Sequence, residues 1–443
     1  MPVVHADVQD HRLHQPNQAK SEPTDEASSN SVAARCYNRY VTPAGIYIHI
    51  PFCERKCTYC NFNTTDFDRA LSAGYLSAVE KEILYWGREL QATATAASIA
   101  PDGRPEVDSI FFGGGTPSIV EPLQLSRLIE TCREAFQIAA DAEITIEINP
   151  GTMMEEKAEG WLQAGINRAS VGVQSFIDRE LAALSRTHNA DDARATVRAL
   201  RSAGFTNLSL DLIAGLVNQS LPDWEYNLSE AFSLRPEHLS LYLLEIKDGT
   251  QLYGQIKRGA LPAPDEDVAA AMYYHICDAA AAAGFEQYEI SNFARFALAP
   301  DATGKEPVIS RYRSRHNLKY WQGAPFFGIG CGAHSYDGRS RWYNIKRTES
   351  YIESVSRTGF GVAERIPLSD RDRAVEALFM ELRLLEGVDL DVFQAAYGLD
   401  VCDQYGADLE RLVGAGLVEY DQRRLKLTKR GLVLSNEVFQ VFV

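Results

Sequence analysis

The sequence predicts an α/β protein built around a parallel β-sheet that is either doubly wound or closed, wholly or in part, into a barrel. Three observations support this fold class. Short β-rich runs alternate six times with longer helical patterns, beginning near residue 45. The 443 residues suffice for about three domains. The composition, 45% apolar and 23% charged, is that of an ordinary globular protein and excludes wholesale disorder.

The alternation sets the order of the predicted elements. Predicted strands lie at residues 45–50, 108–112, 143–148, 168–173, 207–213 and 238–243. Predicted helices follow the first five strands, at residues 71–90, 123–136, 155–164, 190–203 and 224–234. Because right-handed crossovers place the helices outside the sheet, the loops after the strand C-termini should form the active face.

The chain divides into four predicted regions. Residues 1–40 are polar with few large apolar groups, so we expect a disordered N-terminal tail. Residues 41–250 hold the barrel core, and residues 251–365 form an accessory α+β region. Residues 366–443 show short helices followed by a hairpin pattern, which predicts a small C-terminal winged-helix-like domain with a packing role.

Charge and hydropathy exclude two classes of partner. The chain has 44 basic and 60 acidic residues, a net charge of −16, and such an acidic field repels nucleic acid. No run approaches the ~18 consecutive apolar residues of a membrane span, and residues 1–31 lack the pattern of a secretory signal. We therefore expect a cytoplasmic protein whose cysteines remain reduced.

Three cysteines, Cys53, Cys57 and Cys60, follow the first predicted strand with the spacing C-x3-C-x2-C. On a loop, this spacing lets three thiolates converge on one inorganic centre, and thiolates are the usual ligands of iron–sulfur clusters. Three ligands on four irons would leave one iron open. Structural zinc is the alternative, but zinc normally takes four ligands and would have to recruit His49 or a remote residue such as Cys36. The spacing favours the cluster.

Further motifs follow the next predicted strands. They are GGGTP at 113–117, EINP at 147–150, GVQS at 172–175, RTH at 186–188 and DLIAGL at 211–216. With the cysteine loop, this ordered set resembles the radical S-adenosylmethionine (SAM) superfamily and, within it, the coproporphyrinogen III dehydrogenase (HemN-like) family. The resemblance extends to the C-terminus and implies a partial (β/α) radical-SAM barrel.

The resemblance also implies a role for each motif. Cys53, Cys57 and Cys60 would hold a [4Fe–4S] cluster whose open iron binds the amino and carboxylate groups of SAM. Glu147 suits a ribose diol because an ionised carboxylate only accepts hydrogen bonds, and Arg186 offers a guanidinium to the methionine carboxylate. The other residues expected near the cluster or SAM are Tyr47, Tyr59, Gly114, Gly115, Thr116, Gln174 and Asp211.

The position two residues after the third cysteine separates branches of this family. Decarboxylating members typically carry another cysteine there, whereas this chain has Phe62. The sequence CNFN at 60–63 resembles the haem chaperone (HemW) branch instead, as do YEISNFA at 288–294 and GIGCGAHSY at 328–336. The resemblance therefore implies haem binding in place of coproporphyrinogen decarboxylation.

The segment HNLKYW at 316–321 matches an HNxxYW motif that the family associates with haem. A neutral His316 imidazole would ligate iron, and Tyr320 and Trp321 would offer flat apolar surface to a porphyrin. Cys331 and His334 are alternative ligands, ranked after His316. From the residues alone, an ordinary buried core is the favoured interpretation of the motif, and the family resemblance is what raises haem binding beside it.

The predicted function is that of a haem chaperone of the radical SAM fold, which binds a [4Fe–4S] cluster, SAM and haem. The expected partners are haem or another porphyrin and a haem-accepting protein. The alternative is a radical SAM enzyme, either of the oxygen-independent coproporphyrinogen III oxidase type or a related methyltransferase.

Overall fold

A twelve-stranded sheet organises the chain in a computed structural model that describes residues 42–93, 99–152, 155–296, 310–421 and 423–442. The predicted N-terminal tail, residues 1–40, lies outside these residues, as does Cys36. Seven neighbouring strands of the sheet run parallel, which confirms the predicted α/β class. No helix within the described ranges has the length and apolar character needed to cross a bilayer.

The first part of the chain supplies six of the seven parallel strands. Its elements are β1 (Ala44–Ile50), β2 (Phe52–Cys53), β3 (Thr65–Asp66), α1 (Arg69–Thr93), β4 (Glu106–Gly114), α2 (Pro122–Ala135), β5 (Gln137–Ile148), α3 (Glu155–Ala164), β6 (Arg168–Gln174), α4 (Asp178–Ala183), α5 (Ala190–Ala203), β7 (Leu208–Ala214), α6 (Leu221–Ser233) and β8 (His238–Leu243). Short 3-10 helices, Pro117–Ile119 and Pro150–Thr152, follow β4 and β5. The six predicted strands and five predicted helices are confirmed.

The second part adds strands to both edges of this sheet. Its elements are α7 (Gln251–Lys257), α8 (Glu266–Ala282), β9 (Phe285–Gln287), β10 (Asn292–Arg295), α9 (Arg315–Trp321), β11 (Phe326–Ile329), β12 (His334–Tyr336), β13 (Ser340–Asn344), α10 (Thr348–Thr358), β14 (Val362–Pro367), α11 (Asp370–Glu381), β15 (Val388–Asp389), α12 (Leu390–Tyr397), α13 (Val401–Gly414), β16 (Val418–Tyr420), β17 (Arg424–Leu427), α14 (Lys429–Val433) and α15 (Ser435–Phe439). The predicted C-terminal hairpin is β16 and β17, which form a three-stranded sheet with β15.

The strand order of the central sheet is β14-β13-β12-β11-β1-β4-β5-β6-β7-β8-β10-β9. Strand β1 lies between β4 and β11 and pairs in parallel with both, with Gly45 opposite Phe326 in β11. The edges are antiparallel, with β12 to β14 at one side and β9 and β10 at the other. The region predicted as accessory, residues 251–365, thus extends the sheet of the barrel core.

Burial explains why the strongest sequence signals come from the middle of the sheet. Every residue of β1 and β7 is buried, as expected for parallel strands covered on both faces. Strand β5 begins at Gln137, six residues before the predicted start at 143. The prediction began too late because the first residues of the strand are mostly small or polar and are partly exposed. These residues lack the apolar pattern that marks the buried half of the strand.

The buried carboxylate of Glu82 joins α1 to the late part of the sheet. It accepts hydrogen bonds from the Gly330 N–H at 2.9 Å, the Gly361 N–H at 2.8 Å and the Tyr351 hydroxyl at 2.6 Å. Near the cysteine loop, the Asn63 Nδ2 donates to the Lys346 carbonyl at 2.8 Å across 283 residues of sequence. Residues 330–361 therefore support the N-terminal elements directly.

Candidate functional site

The cysteine loop forms one wall of a cavity at the C-terminal ends of the parallel strands. We call it the first cavity; its empty volume, open solvent included, is about 870 Å³. Most of the predicted residues line it, namely Cys53, Cys57, Tyr59, Cys60, Gly114, Gly115, Thr116, Glu147, Gln174, Arg186 and Asp211. Residues far apart in sequence meet here because most of them follow a strand of the same parallel sheet or lie near its end, whereas Asp211 lies within β7.

The glycine-rich loop after β4 lies directly against the start of the cysteine loop. The Gly115 N–H donates to the Ile50 carbonyl at 2.7 Å, and the Thr116 N–H donates to the Phe52 carbonyl at 2.8 Å. A Cβ atom on Gly115 would lie 2.7 Å from the Pro51 and Phe52 carbonyl oxygens, so only glycine fits. The Thr116 hydroxyl lies 3.5 Å from the Cys53 Sγ. The glycine loop therefore positions the first cysteine.

The protonation state of the thiols makes metal binding at this site depend on pH. Burial raises the pKa of the Cys53 thiol to about 11 and also raises the pKa of Cys60. Because thiolates are the metal-ligating form, loading a metal centre releases protons. The Arg186 Nη1 lies 3.5 Å from the Cys57 Sγ, which brings positive charge to the place where thiolate charge would develop.

The surroundings of His49 bear on the zinc alternative. Its Nδ1 is hydrogen-bonded to the Tyr47 hydroxyl at 3.1 Å, and its Nε2 donates to the Asn63 carbonyl at 2.8 Å. Both ring nitrogens are thus engaged by protein groups. Within the described part of the chain, no group of three or more His, Cys, Asp or Glu side chains is placed so that it could hold a metal ion. The three cysteines instead share the wall of the first cavity.

Two carboxylates, those of Glu147 and Asp211, lie at the strand-end side of the cavity. The Glu147 Oε2 accepts a hydrogen bond from the Gly114 N–H at 3.0 Å. Burial raises the pKa of Glu147, and repulsion from Asp211 adds to the effect. The Ser170 hydroxyl donates to the Asp211 carboxylate at 2.9 Å. Acceptor groups of this kind suit the hydroxyl or cationic groups of a bound ligand.

Among the three cations that line the first cavity, Arg186 is less exposed than Arg55 and Lys56. Its Nη2 donates to the Gly172 carbonyl at 2.8 Å and to the Asn149 Oδ1. Its Nε is buried and has no hydrogen-bond partner among the described residues. A buried donor of this kind costs free energy unless a ligand satisfies it, so the guanidinium fits an anionic group.

Gln174 and Tyr59 complete the wall near Arg186. Gln174 has a φ of +66°, a left-handed conformation that is uncommon for a residue with a side chain and that clusters at functional sites. Tyr59 packs against Leu184, Ile213 and Leu216. The Tyr59 ring therefore supports the loop between the second and third cysteines.

Tyr47 lies within β1, three residues before the strand ends. Its expected role near the cluster or SAM stays a prediction. Its ring lines a second cavity together with Tyr320. A Cβ atom on Gly113 would lie 3.0 Å from both the Tyr47 ring and the Glu147 carboxylate, so Tyr47 stands beside the first cavity without lining it.

The HNxxYW residues lie on α9 and are not part of the first cavity. His316 is fully buried, with Nδ1 hydrogen-bonded to the Ser109 hydroxyl at 3.0 Å and Nε2 to the Tyr320 hydroxyl at 2.9 Å. The Arg383 guanidinium lies 4.2 Å above the Trp321 ring. Iron ligation by His316 stays a prediction, and this geometry shows no open coordination position on its ring.

Two polar residues of the site were not assigned from the sequence. The Asn149 Oδ1 accepts from Arg186 and lies 3.2 Å from the His188 Nδ1. Burial, and then the charge of Arg186, lowers the pKa of His188 to about 4, so the imidazole is neutral. Asn149 lies in the EINP motif and His188 in the RTH motif. Membership of these motifs was the sequence signal that could have identified both residues. The role of Ser170, inside β6, had no such signal.

Comparison with known proteins identifies the class. A family model described as the Radical SAM superfamily matches residues 47–229, and one described as the HemN C-terminal domain matches residues 368–434. Coproporphyrinogen III oxidase (HemN) from Escherichia coli has a similar fold, with a TM-score of 0.74 and 24% identity over 94% of this chain and 93% of that chain. The fold and the site thus define a radical SAM protein, and the predicted fold class is confirmed.

Curated relatives identify the family. The chain is 34% identical over 398 residues to "Heme chaperone HemW" of Bacillus subtilis, covering 90% of this chain and 98% of that protein. It is also 34% identical to the protein of that name in Mycobacterium tuberculosis, and to "Radical S-adenosyl methionine domain-containing protein 1, mitochondrial" of mouse over 89% of this chain and 86% of that protein. The chain belongs to the HemW family of radical SAM proteins.

Proposed function

We propose that this protein is a haem chaperone that binds a [4Fe–4S] cluster and SAM in the first cavity and carries haem to an acceptor protein. One observation carries the proposal: three cysteines, an unsatisfied buried Arg186 and the carboxylate of Glu147 share one cavity in a chain of the HemW family. This donor set suits both groups, because thiolates ligate iron and the charged side chains complement SAM.

The residues of the first cavity take distinct roles in this proposal. Cys53, Cys57 and Cys60 hold the cluster, which supplies one open iron position and one-electron chemistry when bound. Arg186 binds the methionine carboxylate of SAM with its guanidinium. Glu147 accepts hydrogen bonds from the ribose hydroxyls.

The remaining residues orient the ligands. Asp211, Gln174 and Thr116 supply polar contacts along the wall, and Gly114 and Gly115 allow the backbone to approach the bound groups. Tyr59 keeps the cysteine loop against the barrel.

Haem is cargo in this proposal, and it leaves with a haem-accepting protein. We place the protein in the cytoplasm because a reducing compartment keeps the three cluster thiols from forming disulfides. The proposed regions are a tail at 1–40, a core at 41–250, an accessory region at 251–365 and a C-terminal domain at 366–443.

Anaerobic reconstitution tests the proposal. We expect iron and sulfide in the ratio of a [4Fe–4S] cluster, a shifted Soret band when haem is added, and transfer of that haem to apomyoglobin as a generic acceptor. Cys57→Ala should lose most of the bound iron. One equivalent of zinc without sulfide, or a wild-type protein with no haem spectrum, would contradict the proposal.

A second assay separates the chaperone from the radical enzyme. Phe62 occupies the position where decarboxylating relatives carry a cysteine. We expect the reconstituted protein, given SAM and a reductant, to leave coproporphyrinogen III unchanged. Stoichiometric decarboxylation with SAM cleavage would favour the enzyme instead.

A further inference from the structure

Two protein acceptors orient the guanidinium of Arg186 in the first cavity. Its Nη2 donates to the Gly172 carbonyl at 2.8 Å and to the Asn149 Oδ1, which uses both hydrogens of that nitrogen. The Nε is buried and has no partner among the described residues. The position of the Asn149 oxygen therefore decides how the rest of the guanidinium meets a ligand.

The side-chain amide of Asn149 is fixed by its other contacts. Its Nδ2 donates to the Thr187 Oγ1 at 3.0 Å, and its backbone N–H donates to the Ser118 hydroxyl at 3.1 Å. Because a guanidinium only donates hydrogen bonds, the amide atom beside Arg186 is the oxygen. The same oxygen lies 3.2 Å from the His188 Nδ1. The His188 ring thus meets an acceptor that already serves Arg186.

The His188 ring lies between two oxygen acceptors. Its Nδ1 faces the Asn149 Oδ1, and its Nε2 lies 3.1 Å from the Val173 carbonyl oxygen. A neutral imidazole has one N–H, so it satisfies one of these oxygens and turns a lone pair towards the other. An imidazolium ion donates to both. The hydrogen-bond geometry therefore favours a charged ring.

The charges around His188 oppose that state. Burial, and then the charge of Arg186, lowers the pKa of His188 to about 4, whereas Asp192 on α5 and Asp178 on α4 act in the opposite direction. The 3-10 helix at Pro150–Thr152 also packs beside the His188 Cβ and has no charged residue. An anion bound to Arg186 would offset the charge that acts against protonation of the ring.

We propose that His188 is a positioning residue for SAM, which holds the Asn149 oxygen against Arg186 and takes up a proton from solvent when the SAM carboxylate binds Arg186. No bond to SAM forms or breaks in this step. The carboxylate compensates Arg186, so the imidazolium can donate to both oxygens. The complex then holds more protons than the free protein, and SAM affinity rises as the pH falls. This inference rests on the proposed SAM site and adds a proton to its binding reaction.

Calorimetry of SAM binding to the cluster-loaded, full-length protein tests the inference. The Kd of the wild type, relative to that of His188→Gln, should fall about threefold or more between about pH 7.5 and 5.5. Glutamine keeps a neutral donor but cannot gain a proton. Burial also raises the pKa of Glu147, and the titration of this residue contributes to both proteins. His275→Gln is the matched control and should behave as the wild type, since His275 lies on α8 and lines neither cavity.

A ligand variant keeps the test independent of the folding of His188→Gln. Decarboxylated SAM lacks the group that meets Arg186, so its binding to the wild type should take up fewer protons than the binding of SAM. Calorimetry in buffers of different ionisation enthalpy counts these protons. Equal proton uptake with the two ligands, or equal pH dependence in the wild type and His188→Gln, would overturn the inference. If the cluster-loaded wild type does not bind SAM at any pH, the proposed function itself is wrong.

Discussion

The first cavity is lined by charged groups of both signs. Its cations include Arg186, and Glu147 and Asp211 supply acceptors. SAM has a carboxylate at one end and a cationic sulfonium between that end and the ribose. At the residue scale, we therefore expect SAM to bind with its methionine carboxylate at Arg186 and its ribose at Glu147.

Replacement of Glu147 by glutamine should weaken SAM binding. The substitution keeps the size of the side chain but removes a charged acceptor worth ~1.5–3 kcal/mol, so the Kd should rise by about tenfold or more. Anaerobic calorimetry with cluster-loaded protein measures this change. Glu134→Gln, on the exposed face of α2, should bind SAM like the parent. Unchanged affinity in Glu147→Gln would refute the assigned contact.

The sequence located most side chains of the first cavity because strand-end motifs must converge at one edge of a parallel sheet. It could not show that the Tyr47 ring also lines the second cavity, because that position depends on tertiary packing. It also could not show that both ring nitrogens of His316 are engaged, since the partners Ser109 and Tyr320 meet them only through packing.

At the scale of elements, the junction between the glycine loop and the cysteine loop controls the site. The two loops share backbone hydrogen bonds at Gly115 and Thr116, and no side chain separates them there. The close approach requires glycine at 115, where a Cβ atom would collide with two carbonyl oxygens. Cluster retention should therefore depend on this backbone contact as well as on the thiols.

Gly115→Ala tests this dependence. The added methyl group must push the two loops apart, so the reconstituted variant should hold substantially less iron and sulfide than the parent. Gly151→Ala is a close control, because a Cβ atom there would have ordinary contacts, the nearest being the Thr187 Oγ1 at 3.5 Å. Iron and sulfide assays after equal reconstitution compare the two. Equal cluster content in both variants would show that the junction tolerates a shift.

The predicted elements followed from periodicity, but the pairing of β1 with β11 did not. Strand β11 is a four-residue element, FFGI, in an aromatic-rich region without regular alternation. Its parallel register with β1 depends on tertiary packing across most of the chain. The alternation of strands and helices therefore predicted six of the seven parallel strands, and it could not predict the seventh, β11.

At the scale of the whole molecule, buried histidines make stability depend on pH. Burial lowers the pKa of His188 to about 4 and that of His316 to about 3, and it also lowers the pKa of His238. Each is neutral in the folded chain, whereas an unfolded histidine gains its proton near pH 6.5. The unfolded state thus binds more protons below that pH, and stability falls as the pH falls from about 6.5 towards these lowered values.

His188→Gln should reduce this loss. Removal of one titrating group should lower the slope of the unfolding free energy by about 1 kcal/mol per pH unit between about pH 6 and 5. Urea unfolding of the cluster-free chain at several pH values gives the slope. His275→Gln, at a partly exposed position of α8, serves as the control. A slope in His188→Gln identical to that of the parent would exclude His188 as a contributor.

The support that β11 and residues 330–361 give to the N-terminal elements has a consequence for biosynthesis. Asn63 cannot reach the Lys346 carbonyl until 283 more residues have been added, which takes on the order of 10–60 seconds on the ribosome. During that interval the three cysteines lie on a nascent chain whose first strand lacks one neighbour. We therefore expect the cysteine loop to gain its full support for a metal centre only after residues 330–361 have been synthesised.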